Sequence, residues 1–233
     1  MIEPYSLPLK TVPPLASGTM HLWWLDLDRV GMAPGLQRQG RSGLRMQQRF
    51  LLRLLLGAYL RIPGRDVVLE RNEVGKPVLR KELAEESGIR FNLSHAGRCM
   101  AIAIGQEIVP GVDIESVSRK IDGTRMAARW FGAVEAELIR HLDPEQARVE
   151  FLRRWTAREA LIKAKSSTIA ASLGSICLSA EDPKIIEHLP ADWPAPASWQ
   201  LKSIEHPGGW LVHLACSQPI QKLRQFDLGR PAL

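Results

Sequence analysis

The chain has 233 residues, 45% hydrophobic and 24% charged, with 31 Lys and Arg against 25 Asp and Glu and a formal charge of +6. That is enough for one large or two small globular units, and the positive balance favours an anionic partner: nucleic acid, acidic protein or phosphorylated cofactor. Cys99, Cys177 and Cys216 are far apart and form no C-x-x-C pair, which argues against a disulfide framework or a structural zinc site and fits a reducing compartment.

Residues 1–18 contain four prolines and no apolar core of a signal peptide, and read as an extended lead-in. Met20–Leu27 predicts a first strand, and residues 36–61 a long helix stopped by Pro63-Gly64. The most apolar run, residues 50–60, is broken by Arg53 and too short for a bilayer, so a cytoplasmic protein without membrane attachment is expected. Val67–Leu69 and Pro77–Leu79 are short strands around the turn Asn72–Gly75. Arg90–Leu93 and Met100–Ile104 are further strands, with the polar run Asn92–Gly97 as a strand-end loop.

A second half opens with a strand over Ile108–Glu115. Helices follow at Gly123–Phe131 and Val134–His141, and a longer one from Pro144 to about Lys165, started by Asp143 as N-cap, Pro144 at N1 and Gln146 at N3. Two late strands, Trp199–Ile204 and Trp210–Ala215, form a hairpin through His206-Pro207-Gly208-Gly209. Pro183–Pro196 reads as an irregular excursion and the tail after Pro219 as peripheral. Each half thus runs strand, long helix, antiparallel pair. The organisation expected is α+β, with halves at 19–107 and 108–226 after the lead-in.

Chemistry concentrates in two places. In Gly111-Val112-Asp113-Ile114-Glu115, strand alternation puts both carboxylates on one face. Such a pair suits magnesium, which binds through one or two carboxylates plus water and substrate phosphates, although a solvated strand face gives the same pattern. On the long helix, Phe151, Leu152, Trp155, Thr156 and Ile162 share one broad side with Glu159 and Lys163, while Glu150, Arg153 and Arg154 fall outside it. A carboxylate and an ammonium on a core-facing side need partners: each other, four residues apart, or a metal and phosphate. Separately, residues 29–65 hold eight arginines and no acid, with Arg41, Arg45, Arg49 and Arg53 at four-residue spacing, a surface for anions. Lys76, in Gly75-Lys76-Pro77, and the polar run holding Ser94 and His95 add donors.

In this order, VGKP, FNLSHAG, GVDIE, RWFGAVE and WTAREALIK resemble the motif series of Sfp-type 4′-phosphopantetheinyl transferases, over roughly Met20 to Ala215. The resemblance implies a single-chain pseudo-dimer of two similar α/β halves, each a small antiparallel sheet with a long helix, with coenzyme A in the cleft between them. It implies Asp113, Glu115 and Glu159 as magnesium ligands and Lys163 on the pyrophosphate. Arg49, Lys76, Ser94 and His95 become coenzyme A contacts, and Glu159 the candidate base. The implied reaction moves phosphopantetheine from coenzyme A to a serine of an apo acyl or peptidyl carrier protein, typically acidic, releasing 3′,5′-ADP. A monomer is expected, with no nucleic acid as partner. Two departures stand out: Arg158 where the family usually has lysine, and Ser166-Ser167-Thr168 where a glycine-containing loop is common. They leave open a coenzyme A-binding module without transfer activity. A basic nucleic-acid-binding protein is the other alternative, though no helix-turn-helix, KH or RNP signature is present.

Overall fold

The computed structural model describes residues 1–9, 11–30 and 40–229, the Arg41 side chain excepted. It is mixed α/β, with small sheets and helices, and divides into two compact units: residues 1–108 with 220–233, and residues 109–219.

In the first unit the strands are β1 (Ile2–Tyr5), β2 (Thr19–Asp26), β3 (Leu69–Arg71), β4 (Pro77–Leu79), β5 (Ile89–Ala96) and β6 (Cys99–Gln106). The helices are α1 (Gly40–Leu60) and α2 (Lys81–Ser87). The expected start of α1, residues 36–39, and Arg38 lie outside the described residues. Trp23 and Leu25 of β2 pack with Leu51, Leu52, Leu55 and Leu56 of α1 and with Phe91, Ile102 and Ile104, a core of large side chains between helix and sheet.

Two expectations for this unit are corrected. Asn92–Ala96 is not a loop but the second half of β5, paired with β6 in register from Ile89↔Gln106 to Ala96↔Cys99. The tail after Pro219 is not peripheral either. A last strand at Lys222–Leu228 lies between β1 and β2, parallel to both, in a five-stranded sheet that continues to β6 and β5. Phe226 and Leu228 are fully buried there. The sheet is therefore mixed rather than antiparallel, and residues expected with the second half complete the first.

The second unit contains β7 (Gly111–Ser116), α3 (Gly123–Trp130), α4 (Ala133–Arg140), α5 (Pro144–Lys165), α6 (Ile169–Ser172), β8 (Cys177–Leu178), β9 (Ile186–His188), β10 (Gln200–Ile204) and β11 (Trp210–Cys216); the tail strand is β12. The Asp143 carboxylate caps α5, accepting from the amides of Glu145 and Gln146. The sheet runs β10-β11-β7, antiparallel throughout. The proline-rich excursion is anchored, since β9 pairs with β8, and Leu189 and Trp193 join a core with Ala160, Leu161 and Trp199. A second core forms around Phe151 and Leu152 with Ala127 and Ile139. With apolar clusters on two sides, α5 is an interior helix, and the one-sided burial assumed from its sequence does not hold. Among the described residues no helix is long and apolar enough to cross a membrane.

Candidate active site

The site in the second unit is built where α5 crosses β7. Gly111 makes the crossing possible: a Cβ there would sit 2.0 Å from the Ala160 carbonyl oxygen and 2.5 Å from the Ala164 nitrogen. Because side chains two apart share a strand face, Asp113 and Glu115 point to the α5 side with Gly111, and Val112 and Ile114 are buried on the other. Gly111→Ala is expected to push the helix off the strand and to destabilise the protein by about 1–3 kcal/mol. Thermal melting checks this; an unchanged midpoint would refute the close crossing.

Asp113 is 5% exposed. The Nζ of Lys163 reaches it across the strand–helix interface, 2.5 Å from Oδ1. Glu115 is paired with Arg119. Glu159, one helical turn before Lys163, feels both strand carboxylates. Burial and the neighbouring Asp113 charge push it up to about 7, with Glu115 adding to the rise and Lys163 opposing it. Burial likewise raises Glu115, against the pull of Arg119. Asp113, Glu115, Glu159 and Lys163 are thus brought together, and the lysine is engaged with the strand aspartate.

The other predicted residues lie in the first unit. Arg49 is exposed on α1 and lines a cavity of about 910 Å³ with Arg45, Arg53, Arg65, Met46 and Phe50. Lys76 closes the β3–β4 turn, where its amide donates to the Asn72 side chain at 2.8 Å and Gly75 takes a φ of +79°. Ser94 is buried and His95 exposed; as neighbours on β5 they point to opposite sheet faces.

One group was not foreseen. Arg154 and Arg158 are both fully buried and converge on the buried Glu135 of α4. Arg154 was expected outside the core-facing side, and burial of α5 on more than one side explains the difference. The acid in RWFGAVE, 19 and 23 residues before two arginines a turn apart, was the signal in the sequence.

Three carboxylates with a lysine and an arginine form an oxygen-rich, mixed-charge site on an α/β scaffold. Comparison with known proteins supplies the family. Residues 110–215 match the profile described as the 4′-phosphopantetheinyl transferase superfamily, and residues 42–107 that of the 4′-phosphopantetheinyl transferase N-terminal region. The chain is 31% identical over 212 residues to the 4′-phosphopantetheinyl transferase HetI of Nostoc sp., covering 82% of this chain and 87% of that protein. It is 30% identical over 142 residues to the 4′-phosphopantetheinyl transferase AcpT of Escherichia coli O157:H7, 61% of this chain and 69% of the relative. To the mouse L-aminoadipate-semialdehyde dehydrogenase-phosphopantetheinyl transferase it is 33% identical over 123 residues, half of this chain and 40% of that enzyme. The chain belongs to the 4′-phosphopantetheinyl transferase superfamily. It is a transferase, and its family's general partners are coenzyme A and carrier proteins.

Proposed function

We propose that the protein is an Sfp-type transferase that moves 4′-phosphopantetheine from coenzyme A to a serine hydroxyl of an apo acyl or peptidyl carrier protein, releasing 3′,5′-ADP, with magnesium as its metal. The observation that carries this is the meeting of Asp113 and Glu115 of β7 with Glu159 and Lys163 of α5 in a chain of this family.

The residues fit the metal. All three carboxylates are hard oxygen donors; burial first, and the Asp113 and Glu115 charges second, raise Glu159, and a divalent cation relieves that repulsion. Among the described residues no three acidic, His or Cys side chains form a ready-made metal cluster. Magnesium asks for less than a closed cage, since it keeps waters and substrate phosphate oxygens in its shell. Asp113, Glu115 and Glu159 would hold it, and bound there it supplies charge stabilisation at the diphosphate and the transferred phosphorus. Lys163 neutralises a diphosphate oxygen. Glu159, whose carboxyl sits near neutrality, takes the serine proton directly or through water as the hydroxyl attacks phosphorus and the 3′,5′-ADP oxygen leaves.

The two units, residues 1–108 with 220–233 and residues 109–219, are read as related halves of one pseudo-dimer. Each pairs a long helix with antiparallel strands, α1 with β5–β6 and α5 with β7 and β10–β11. A chain that carries both halves needs no second copy, so it acts as a monomer, in the cytoplasm where coenzyme A and carriers meet. The net charge of +6 and the exposed Arg45 and Arg49 favour an acidic carrier. The deciding experiment is mass spectrometry of candidate apo carriers incubated with the protein, magnesium and coenzyme A. Gain of the phosphopantetheine mass on a serine peptide is expected; coenzyme A binding without any modified carrier would reduce the protein to a binding module.

In this reading Arg49, Lys76, Ser94 and His95 contact coenzyme A. Arg49→Ala and Lys76→Ala are expected to raise its dissociation constant roughly tenfold or more while changing turnover of the bound complex little, because phosphate contacts made in the ground state persist through the reaction. Titration with coenzyme A and with 3′-dephospho-coenzyme A checks both. Unchanged affinity in both variants would remove the arginine surface from the pocket.

A further inference from the structure

The helix that carries Glu159 and Lys163 is held from a different side by a cluster of buried charges. Arg154 Nη1 donates to Glu135 Oε1 at 2.8 Å, and Arg158 Nη2 donates to Glu135 Oε2. Every guanidinium nitrogen of the two arginines donates at least one hydrogen bond. Arg154 donates to Glu150 at 2.8 Å and to the carbonyls of Ser179 and Ala180 at 2.9 and 2.7 Å. Arg158 donates to the carbonyls of Ile176 and Arg154, both at 3.2 Å, and its guanidinium lies 4.1 Å from the Phe131 ring centroid. A further anchor is Thr156, whose hydroxyl donates to the Arg153 carbonyl at 3.0 Å and accepts from His213 Nδ1 at 2.7 Å.

Buried ion clusters stabilise little more than apolar packing of the same volume. Their distinctive contribution is orientation. Arg154 and Arg158 lie one turn apart, as do Glu159 and Lys163, and each pair occupies its own side of α5. The donors of the first pair find all their acceptors in one rotational setting, which is the setting that turns the second pair toward β7. We infer that Glu135, acting through Arg154 and Arg158, is a positioning residue for the transfer: it fixes the rotation of α5 that presents Glu159 and Lys163 to Asp113 and Glu115, and Arg158 is not a phosphate contact. The inference rests on the site assignment proposed above. It also gives the arginine at 158 a task that the family's usual lysine does not fill. Three separate nitrogens of Arg158 reach three acceptors on α4, α5 and the segment before β8, and a single ammonium cannot replace that fork.

The test is Arg158→Lys, the substitution that restores the family's usual residue, with Glu135→Gln as a second variant that keeps shape and removes charge. Both are compared with wild type in ligand-free melting, hydrogen exchange of peptides covering 157–165, and kcat and coenzyme A KM at saturating magnesium. Arg158→Lys is expected to stay folded, to exchange faster in 157–165 and to lose roughly tenfold to a hundredfold in kcat with KM within about twofold, the signature of misplaced groups rather than lost binding. Glu135→Gln moves in the same direction and carries the test if Arg158→Lys does not fold. Wild-type kcat in a folded variant would make the cluster packing only. A raised KM at unchanged kcat would make Arg158 a phosphate contact and overturn the inference. Should wild type modify no carrier, the functional reading fails by itself, and hydrogen exchange alone then decides: faster exchange in 157–165 supports the clamp, and unchanged exchange refutes it.

Discussion

Asp113→Ala is expected to lower turnover a hundredfold or more while the protein remains folded. The carboxylate is buried, faces α5, and is paired with Lys163. Its removal strips the site of one oxygen donor and releases the lysine that should lie against the diphosphate. Loss of a metal-holding group costs about 3 kcal/mol or more of transition-state stabilisation, and each 1.36 kcal/mol is about tenfold in rate. The fold suffers less, because the Lys163 side chain is 25% exposed and can turn its ammonium to water, while Val112 and Ile114 keep the strand packed. Steady-state kinetics at saturating coenzyme A and magnesium, with melting as the control, test this. Near-normal turnover would remove Asp113 from the metal site.

Glu159→Gln separates the chemistry of the site from its stability, and does so with a sign that depends on pH. In the ligand-free protein the carboxyl is held near 7, above the 4.5 of an unperturbed glutamate. A raised carboxyl means that the folded chain binds this proton more tightly than the unfolded chain. Its contribution is therefore fully present at low pH, is lost as pH rises from about 4.5 toward 7, and stays lost above that. Glutamine does not titrate. The variant should melt close to wild type near pH 5 and at or above it near pH 8. Its turnover should fall by at least a hundredfold, and the rise in melting temperature that magnesium with coenzyme A gives wild type should largely disappear. A large ligand-free loss at pH 8 with an undiminished ligand response would make Glu159 a structural residue.

The acids of this site were legible in the sequence because each is set by a short, rigid period. Two residues along a strand return to the same face, which placed Asp113 with Glu115 and set Val112 and Ile114 against them. Four residues along a helix nearly return to the same side, which placed Glu159 with Lys163. What the sequence could not show was the second dimension of burial. Helical periodicity assumes one buried side; α5 is enclosed on more than one, so Arg154 reads as outside the core-facing side when it and Arg158 are among the most enclosed side chains, while its neighbour Arg153 is exposed. The strand character of Asn92–Ala96 was hidden for a related reason. Its polar residues look like a loop until pairing with the apolar β6 satisfies their backbone. β12 escaped notice because its partners are about 200 residues away, and a short parallel strand has no hairpin turn to announce it.

That last strand has a consequence for how the protein is made. The sheet of the first unit is missing an interior member until Lys222–Leu228 has been synthesised, because β1 and β2 meet only through β12. Residues 109–219, by contrast, form an unbroken segment that leaves the ribosome whole. Domains generally fold as their chain becomes available. Here that order is inverted: the unit that begins first must wait, holding Trp23, Leu25 and the α1 leucines in an open sheet, while the inserted unit closes. The vulnerable moment in this protein's biogenesis is thus the interval between completion of the insert and arrival of the final strand, when chaperone capture or truncation would strike the amino-terminal half.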